Sequence, residues 1–105
     1  MGVNKMKPEQ IVKIDPLVHA PARLAILSIL INLEKANFSY LKEATGLTDG
    51  NLSTNLTKLE ESGLIKIEKI FVAKKPQTNC SITKKGRETL IKYLEQLEQI
   101  IRMHE

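Results

Sequence analysis

The chain is poor in the residues that build chemical centres. Its single cysteine, Cys80, cannot form an intrachain disulfide, which excludes a disulfide-stapled fold and fits a reducing compartment. Its two histidines, His19 and His104, stand far apart in the sequence with no second cysteine to join them, so neither a metal site nor a metal cofactor is expected. There is no glycine-rich phosphate loop and no serine, histidine and aspartate set, which argues against an enzyme. No charged segment leads into a long apolar run, and no apolar stretch is long enough to span a bilayer. The expectation is therefore a cytoplasmic chain with no membrane partner. Internal repeats and low-complexity segments are also absent.

What is present is a chain of 105 residues, 42 % of them hydrophobic, which is enough for one folded domain. It is small enough that dimerisation would help its stability. The net charge of +4 is unevenly spread. Residues 64–87 hold Lys66, Lys69, Lys74, Lys75, Lys84, Lys85 and Arg87 against Glu68 alone, a surplus of +6 that leaves −2 for the remainder. One basic block in an otherwise slightly acidic chain is the electrostatic footprint of a polyanion binder. The alternative is a solvated lysine-rich hairpin whose charges discourage edge-to-edge aggregation.

The stretch from Thr45 to Leu64 organises the rest. Gly46 suits a helix stop, Thr48 or Asp49 an N-cap, and Gly63 a second stop. Between them Leu52, Leu56 and Leu59 recur at helical spacing, while Asn51, Ser53, Thr54, Thr57 and Lys58 form the opposite face. A short helix from Ser39 to Thr45, with Leu41 and Ala44 inward, precedes this one, giving a helix-turn-helix whose second helix covers about 49–62. Upstream, Met1 to Lys7 is polar, Pro8 opens a short turn of helix, and Asp15-Pro16 repeats a cap-and-start signal. A helix expected from Pro21 to Lys35 is apolar nearly all round. It must be covered on more than one side, one face lying on its own core and one on a partner subunit. Downstream, Ile65 and Ile67 alternate with charged residues as in a half-buried strand. Lys69-Ile70-Phe71 reads as a bulge or an outward apolar pair, Val72 to Asn79 as a loop around Pro76, and Cys80 with Ile82 as a second strand. Thr83 caps a last helix, about 84–104, with Leu90, Leu94, Leu97 and Ile101 in register. Its far end is free to pair with a second subunit, or else folds over its own core.

The ordered set Asp15-Pro16, His19, Pro21, Arg23-Leu24, Ile26-Leu27, Thr45-Gly46-Leu47-Thr48, Gly50-Asn51-Leu52-Ser53, Leu56, Leu59-Glu60, Gly63, Thr78, Thr83 and Gly86-Arg87 resembles the small winged-helix transcriptional regulators of bacteria and archaea, within the MarR- and ArsR-like grouping. The resemblance runs from about Asp15 to Ile101 and departs from the metal-sensing branch, whose ligand clusters are missing. It implies a mainly α (α+β) winged helix-turn-helix over residues 15–105, with a two-stranded β wing, a long C-terminal dimerisation helix and a flexible segment over 1–14. It further implies a homodimer on double-stranded DNA.

On this reading Asn51, Ser53, Thr54 and Lys58 meet bases or phosphates, and Asn51 is suited to adenine. Lys69, Lys74 and Lys75 meet phosphates, and Gln77 and Thr78 add hydrogen bonds. Arg87 reaches a phosphate or makes a structural ion pair. With no arginine on the helix, strong bidentate guanine readout is lacking, and an A·T-rich operator, with shape contributing, is expected. Ile26, Leu30, Leu33, Leu94, Leu97 and Ile101 are the candidate dimer seam, beside which a small-molecule effector would act. His19 is a packing or capping residue rather than a ligand, and Cys80 a small buried hydrophobe with a redox role as the alternative. The competing function is a winged helix used for protein–protein contact, for which Ile70, Phe71 and Val72 are the argument.

Overall fold

A computed structural model describes residues 7–103. Five helices and three strands follow in the order α1 (Pro8–Val12), α2 (Pro21–Leu30), β1 (Ala36–Asn37), α3 (Phe38–Thr45), α4 (Asp49–Glu61), β2 (Ile65–Val72), β3 (Lys75–Ile82) and α5 (Lys84–Arg102). Residues 1–6 of the expected flexible segment and His104 lie outside the described residues. The remainder of that segment forms α1 and carries Ile14 into the core.

Helix α2 starts where expected, with Pro21 in its first turn, but ends at Leu30 rather than Lys35. The reason lies downstream. Ala36 and Asn37 pair antiparallel with Cys80 and Asn79, so the chain must leave the helix in time to run extended. Asn37 then turns that strand into α3: its side chain accepts from the Tyr40 N–H at 2.8 Å, so Asn37, not Ser39, is the cap. Leu41 is buried as expected, whereas Ala44 is exposed. Asp15 caps a turn instead of a helix, its Oδ1 accepting from the Leu17 N–H at 2.9 Å.

The sheet has the order β1-β3-β2, one strand more than expected. Pairing of β2 with β3 runs unbroken from Ile65↔Ile82 to Val72↔Lys75, so there is no bulge at Lys69–Phe71 and no loop at 75–79. Only Ala73 and Lys74 form the turn, both with positive φ (51° and 67°), the mirror-image geometry that matches strand twist. Pro76 is tolerated because β1 reaches only Asn79 and Cys80, leaving that edge of β3 uncovered.

The core gathers Ile26, Leu27 and Leu30 of α2, Leu41 of α3, and Leu52, Leu56 and Leu59 of α4. Leu64, Ile65 and Cys80 join them from the sheet, and Leu90 and Tyr93 from α5. The radius of gyration is 16.0 Å, against about 13 Å for a compact chain of this length. The excess comes from two projections, the β2–β3 hairpin and the distal half of α5.

Candidate nucleic-acid interface

Helix α4 begins as its sequence dictates. Gly46 (φ +71°) ends α3, and the Thr48 side chain accepts from the Asn51 N–H at 3.1 Å. Asp49 pairs with Lys42 of α3 at 2.8 Å, a link across the turn that occupies this carboxylate. At the other end Gly63 (φ +77°) reverses the chain, and Lys85 donates from Nζ to the Ser62 carbonyl at 3.0 Å. Both ends are satisfied by the fold, which leaves the outer face to other uses. That face brings together Asn51, Ser53, Thr54, Thr57 and Lys58, all exposed. Thr57 spends its hydroxyl on the Ser53 carbonyl at 3.0 Å, leaving Asn51, Ser53, Thr54 and Lys58 as the expected readers.

The inner face holds a residue that periodicity alone passes over. Asn55 stands among Leu52, Leu56 and Leu59 and is only 8 % exposed. Its Oδ1 accepts from Arg23 Nη1 at 2.9 Å, and its Nδ2 donates to the Asn51 carbonyl at 2.8 Å and to Asn51 Oδ1 at 2.6 Å. Arg23 is held from behind, donating from Nε to the Leu17 carbonyl (2.6 Å) and from Nη2 to the Pro16 carbonyl (3.3 Å). The signal was legible: a polar residue on an apolar stripe needs a buried partner.

In the hairpin, residues opposite one another share a face and successive residues alternate. Lys69 and Thr78 therefore lie on the core-side face with Ile67 and Cys80. Lys75 and Gln77 lie on the other face with Val72 and Ile70. The five residues expected to grip phosphates are thus split between two faces, with Lys74 at the tip, and do not form one patch. The basic block is also smaller than its sum. Lys66 pairs with Glu68 at 2.8 Å, an exposed contact whose hydrogen bond raises the lysine pKa and lowers that of the glutamate. Lys85 is tied to α4. Among the described residues Lys69, Lys74 and Lys75 form no ion pair.

Arg87 makes no ion pair among the described residues and is exposed. Its Nη1 donates to the Ile31 carbonyl at 3.4 Å, tethering α5 to the end of α2. His19 packs on Tyr93, Nδ1 to hydroxyl 2.8 Å, as a structural histidine. Cys80 is buried, and desolvation, with a smaller push from Glu60, raises its thiol to about 11. Burial and a pKa moved in that direction both lower thiolate character, which weighs against a redox role. Of the expected dimer seam, Ile26 and Leu30 are wholly enclosed by the chain's own core and are corrected to core residues. Leu97 is partly buried against the core, while Leu33, Leu94 and Ile101 are exposed. Among the described residues no helix is long and apolar enough to cross a membrane.

Residues 22–101 match the family described as winged helix DNA-binding domain. An uncharacterised protein of Methanocaldococcus jannaschii is 38 % identical over 84 residues, covering 80 % of this chain and 91 % of that one. The structure of a transcriptional regulator homologue from Pyrococcus horikoshii OT3 superposes with a TM-score of 0.85 at 31 % identity, covering 95 % of this chain and 99 % of the other. A protein of Enterococcus faecalis V583 assigned to the MarR family shares the fold at 20 % identity, with a TM-score of 0.71 over 98 % and 92 % of the two chains. The Pyrococcus horikoshii and Enterococcus faecalis proteins are both named as transcriptional regulators. The match takes in the helix-turn-helix, the wing and most of α5, and the chain belongs to the winged helix DNA-binding domain family of transcriptional regulators.

Proposed function

We propose that the protein acts in the cytoplasm as a homodimeric repressor on a palindromic operator, with α4 in the major groove and the wing (69–80) along the backbone. The observation that carries this reading is the outer face of α4. Asn51, Ser53, Thr54 and Lys58 are exposed there, and of the four only the Asn51 side chain is engaged, through its Oδ1 to Asn55, although both ends of the helix are pinned. A helix held that firmly with an uncommitted polar face is arranged to present side chains. Lys69, Lys74 and Lys75 supply phosphate contacts from the neighbouring hairpin, Lys69 with Thr78 from one face and Lys75 with Gln77 from the other. Exposed Leu33, Leu94 and Ile101 with half-covered Leu97 form the seam between copies, and a small-molecule effector would act beside it. Half-sites then lie about 34–36 Å apart, or a multiple of it.

The test is binding to genomic fragments, including the region upstream of the protein's own gene, at several salt concentrations with sedimentation in parallel. A dimer should bind one fragment preferentially and with a steep salt dependence. Lys74→Ala with Lys75→Ala should weaken it and flatten the slope by roughly 0.9 for each phosphate that is no longer neutralised. No preference among fragments near physiological salt would refute the reading. It would favour protein–protein contact through the wing, where Ile70, Phe71 and Val72 are exposed.

A further inference from the structure

The hydrogen-bonded chain Arg23–Asn55–Asn51, buried at its middle member, fixes which end of the Asn51 amide can face a ligand. A guanidinium has donors only. Whatever lies 2.9 Å from Arg23 Nη1 must accept, so Asn55 turns its Oδ1 to the arginine and its Nδ2 toward Asn51. Both Asn55 amide hydrogens are then committed, at 2.8 and 2.6 Å, to the carbonyl and the Oδ1 of Asn51. An Nδ2 in place of that Oδ1 would set donor against donor at 2.6 Å. Asn51 therefore points its own Nδ2 outward, on the exposed face of α4. Arg23 cannot release this order by turning away, because the Leu17 and Pro16 carbonyls hold its other nitrogens.

We propose that this relay makes Asn51 a donor-only reader. It selects a base edge offering two acceptors, guanine N7 and O6, over the adenine edge that a free asparagine pairs with through both of its ends. Arg23 and Asn55 are positioning residues. They touch no base and set the polarity of the residue that does. The proposal rests on the DNA-binding reading above and narrows what α4 recognises. Adenine presents an acceptor at N7 and a donor at N6. Satisfying both needs the Oδ1 and the Nδ2 of the reader side by side at the base edge, and the Oδ1 of Asn51 is turned inward to the buried Asn55.

The decisive variant is Asn55→Asp. A carboxylate keeps the contact with Arg23, gives up the bond to the Asn51 backbone carbonyl and offers the Asn51 side chain only acceptors, so that side chain reverses, giving its Nδ2 inward and its Oδ1 outward. Binding-site selection from a randomised duplex library is run on the native protein, Asn51→Ala and Asn55→Asp. The position that loses its preference in Asn51→Ala should favour guanine over adenine by about 5- to 20-fold in the native protein. In Asn55→Asp it should move to a base bearing an amino group, adenine or cytosine. Guanine retained in Asn55→Asp, or a profile unaltered by Asn51→Ala, overturns the proposal while leaving DNA binding intact. No selected duplex at all overturns the functional reading with it. A measurement without DNA covers a poorly folded variant: side-chain amide exchange by NMR in the native protein. The Asn55 NH2 should be protected and the Asn51 NH2 should exchange freely. The reverse order overturns the relay.

Discussion

The hairpin and helix α5 leave the core in the same manner and end in opposite chemistry. Each has an apolar base, Ile65 and Cys80 in one and Leu90 and Tyr93 in the other, and each carries apolar residues beyond where the core can cover them. Phe71 is 77 % exposed on the hairpin, Leu94 45 % and Ile101 64 % on α5. The charges around them differ. On the hairpin Lys69, Lys74 and Lys75 form no ion pair among the described residues, whereas on α5 Glu98 and Arg102 neutralise each other at 2.8 Å. An apolar surface inside uncompensated positive charge suits a polyanion with apolar faces of its own. An apolar seam beside neutralised charge suits a second copy of itself, since like fields do not then repel.

The largest expected effect removes the anchor that both projections share. Gly86 is buried in the first turn of α5, where a Cβ would be driven into the Leu64 carbonyl and come 2.9 Å from Ile82 Cγ1. That carbonyl already accepts from the Thr83 N–H at 3.0 Å, and Thr83 caps α5 by accepting from the Gly86 N–H at 2.9 Å. Neither backbone can yield without parting α5 from the strand base. Gly86→Ala should cost about 3–5 kcal/mol, lowering the thermal midpoint followed by circular dichroism by on the order of 15 °C or more. A loss under about 1 kcal/mol would mean that the helix and hairpin are anchored independently.

The next effect separates the projections. Leu94→Asp with Ile101→Asp places charge on the proposed seam at sites that are open within one chain. The monomer fold should change by less than about 1 kcal/mol. Association measured by sedimentation should weaken by about 100-fold or more, as charges buried without partners require. Phe71→Asp, at a still more exposed site on the hairpin, should leave association unchanged. If Phe71→Asp dissociates the protein and the α5 pair does not, the roles of the two projections are exchanged.

What the sequence revealed followed the reach of local rules. Helix α4 was legible to within a residue because its leucine spacing, Thr48 cap and Gly63 stop all act within one or two turns. Strand β1 was not: two residues show no alternation, and Ala36–Asn37 is extended only because β3 is there to pair with it. Pro76 looked like a loop because proline's penalty in a strand depends on whether a neighbour needs its missing N–H, and neighbours are a tertiary fact. The all-round apolarity of α2 rightly called for cover on several sides. The chain supplies much of it, with α3, α4, α5 and β3 packed around α2, so Ile26 and Leu30 were never free for a partner, while Leu24 and Ile29 are only partly covered. The outer face of α4 could be assigned from its pattern. Its orientation by Arg23 and Asn55 could not, because that contact spans 32 residues.

The smallest effect is local to the hairpin tip and tests whether the wing is part of the cooperative fold. Ala73 sits at φ 51°, a conformation that disfavours residues with a Cβ and that asparagine tolerates. Ala73→Asn relieves this without changing charge and should stabilise the turn by about 0.5–1 kcal/mol. Where that gain appears depends on the tip's coupling to the core. Ile70, Phe71 and Val72 are exposed, and the last core residues of the hairpin are Ile65 and Cys80 at its base, so little beyond ladder hydrogen bonds joins the tip to the rest. The tip should therefore open on its own, below the free energy of global unfolding. In Ala73→Asn, hydrogen exchange of the amides around the turn should slow by about 2- to 5-fold while the thermal midpoint moves by less than about 2 °C. A midpoint raised by the full amount, with no selective slowing at the tip, would mean that the wing unfolds only with the core. It would then meet a ligand as a rigid blade, and binding would not be what orders it.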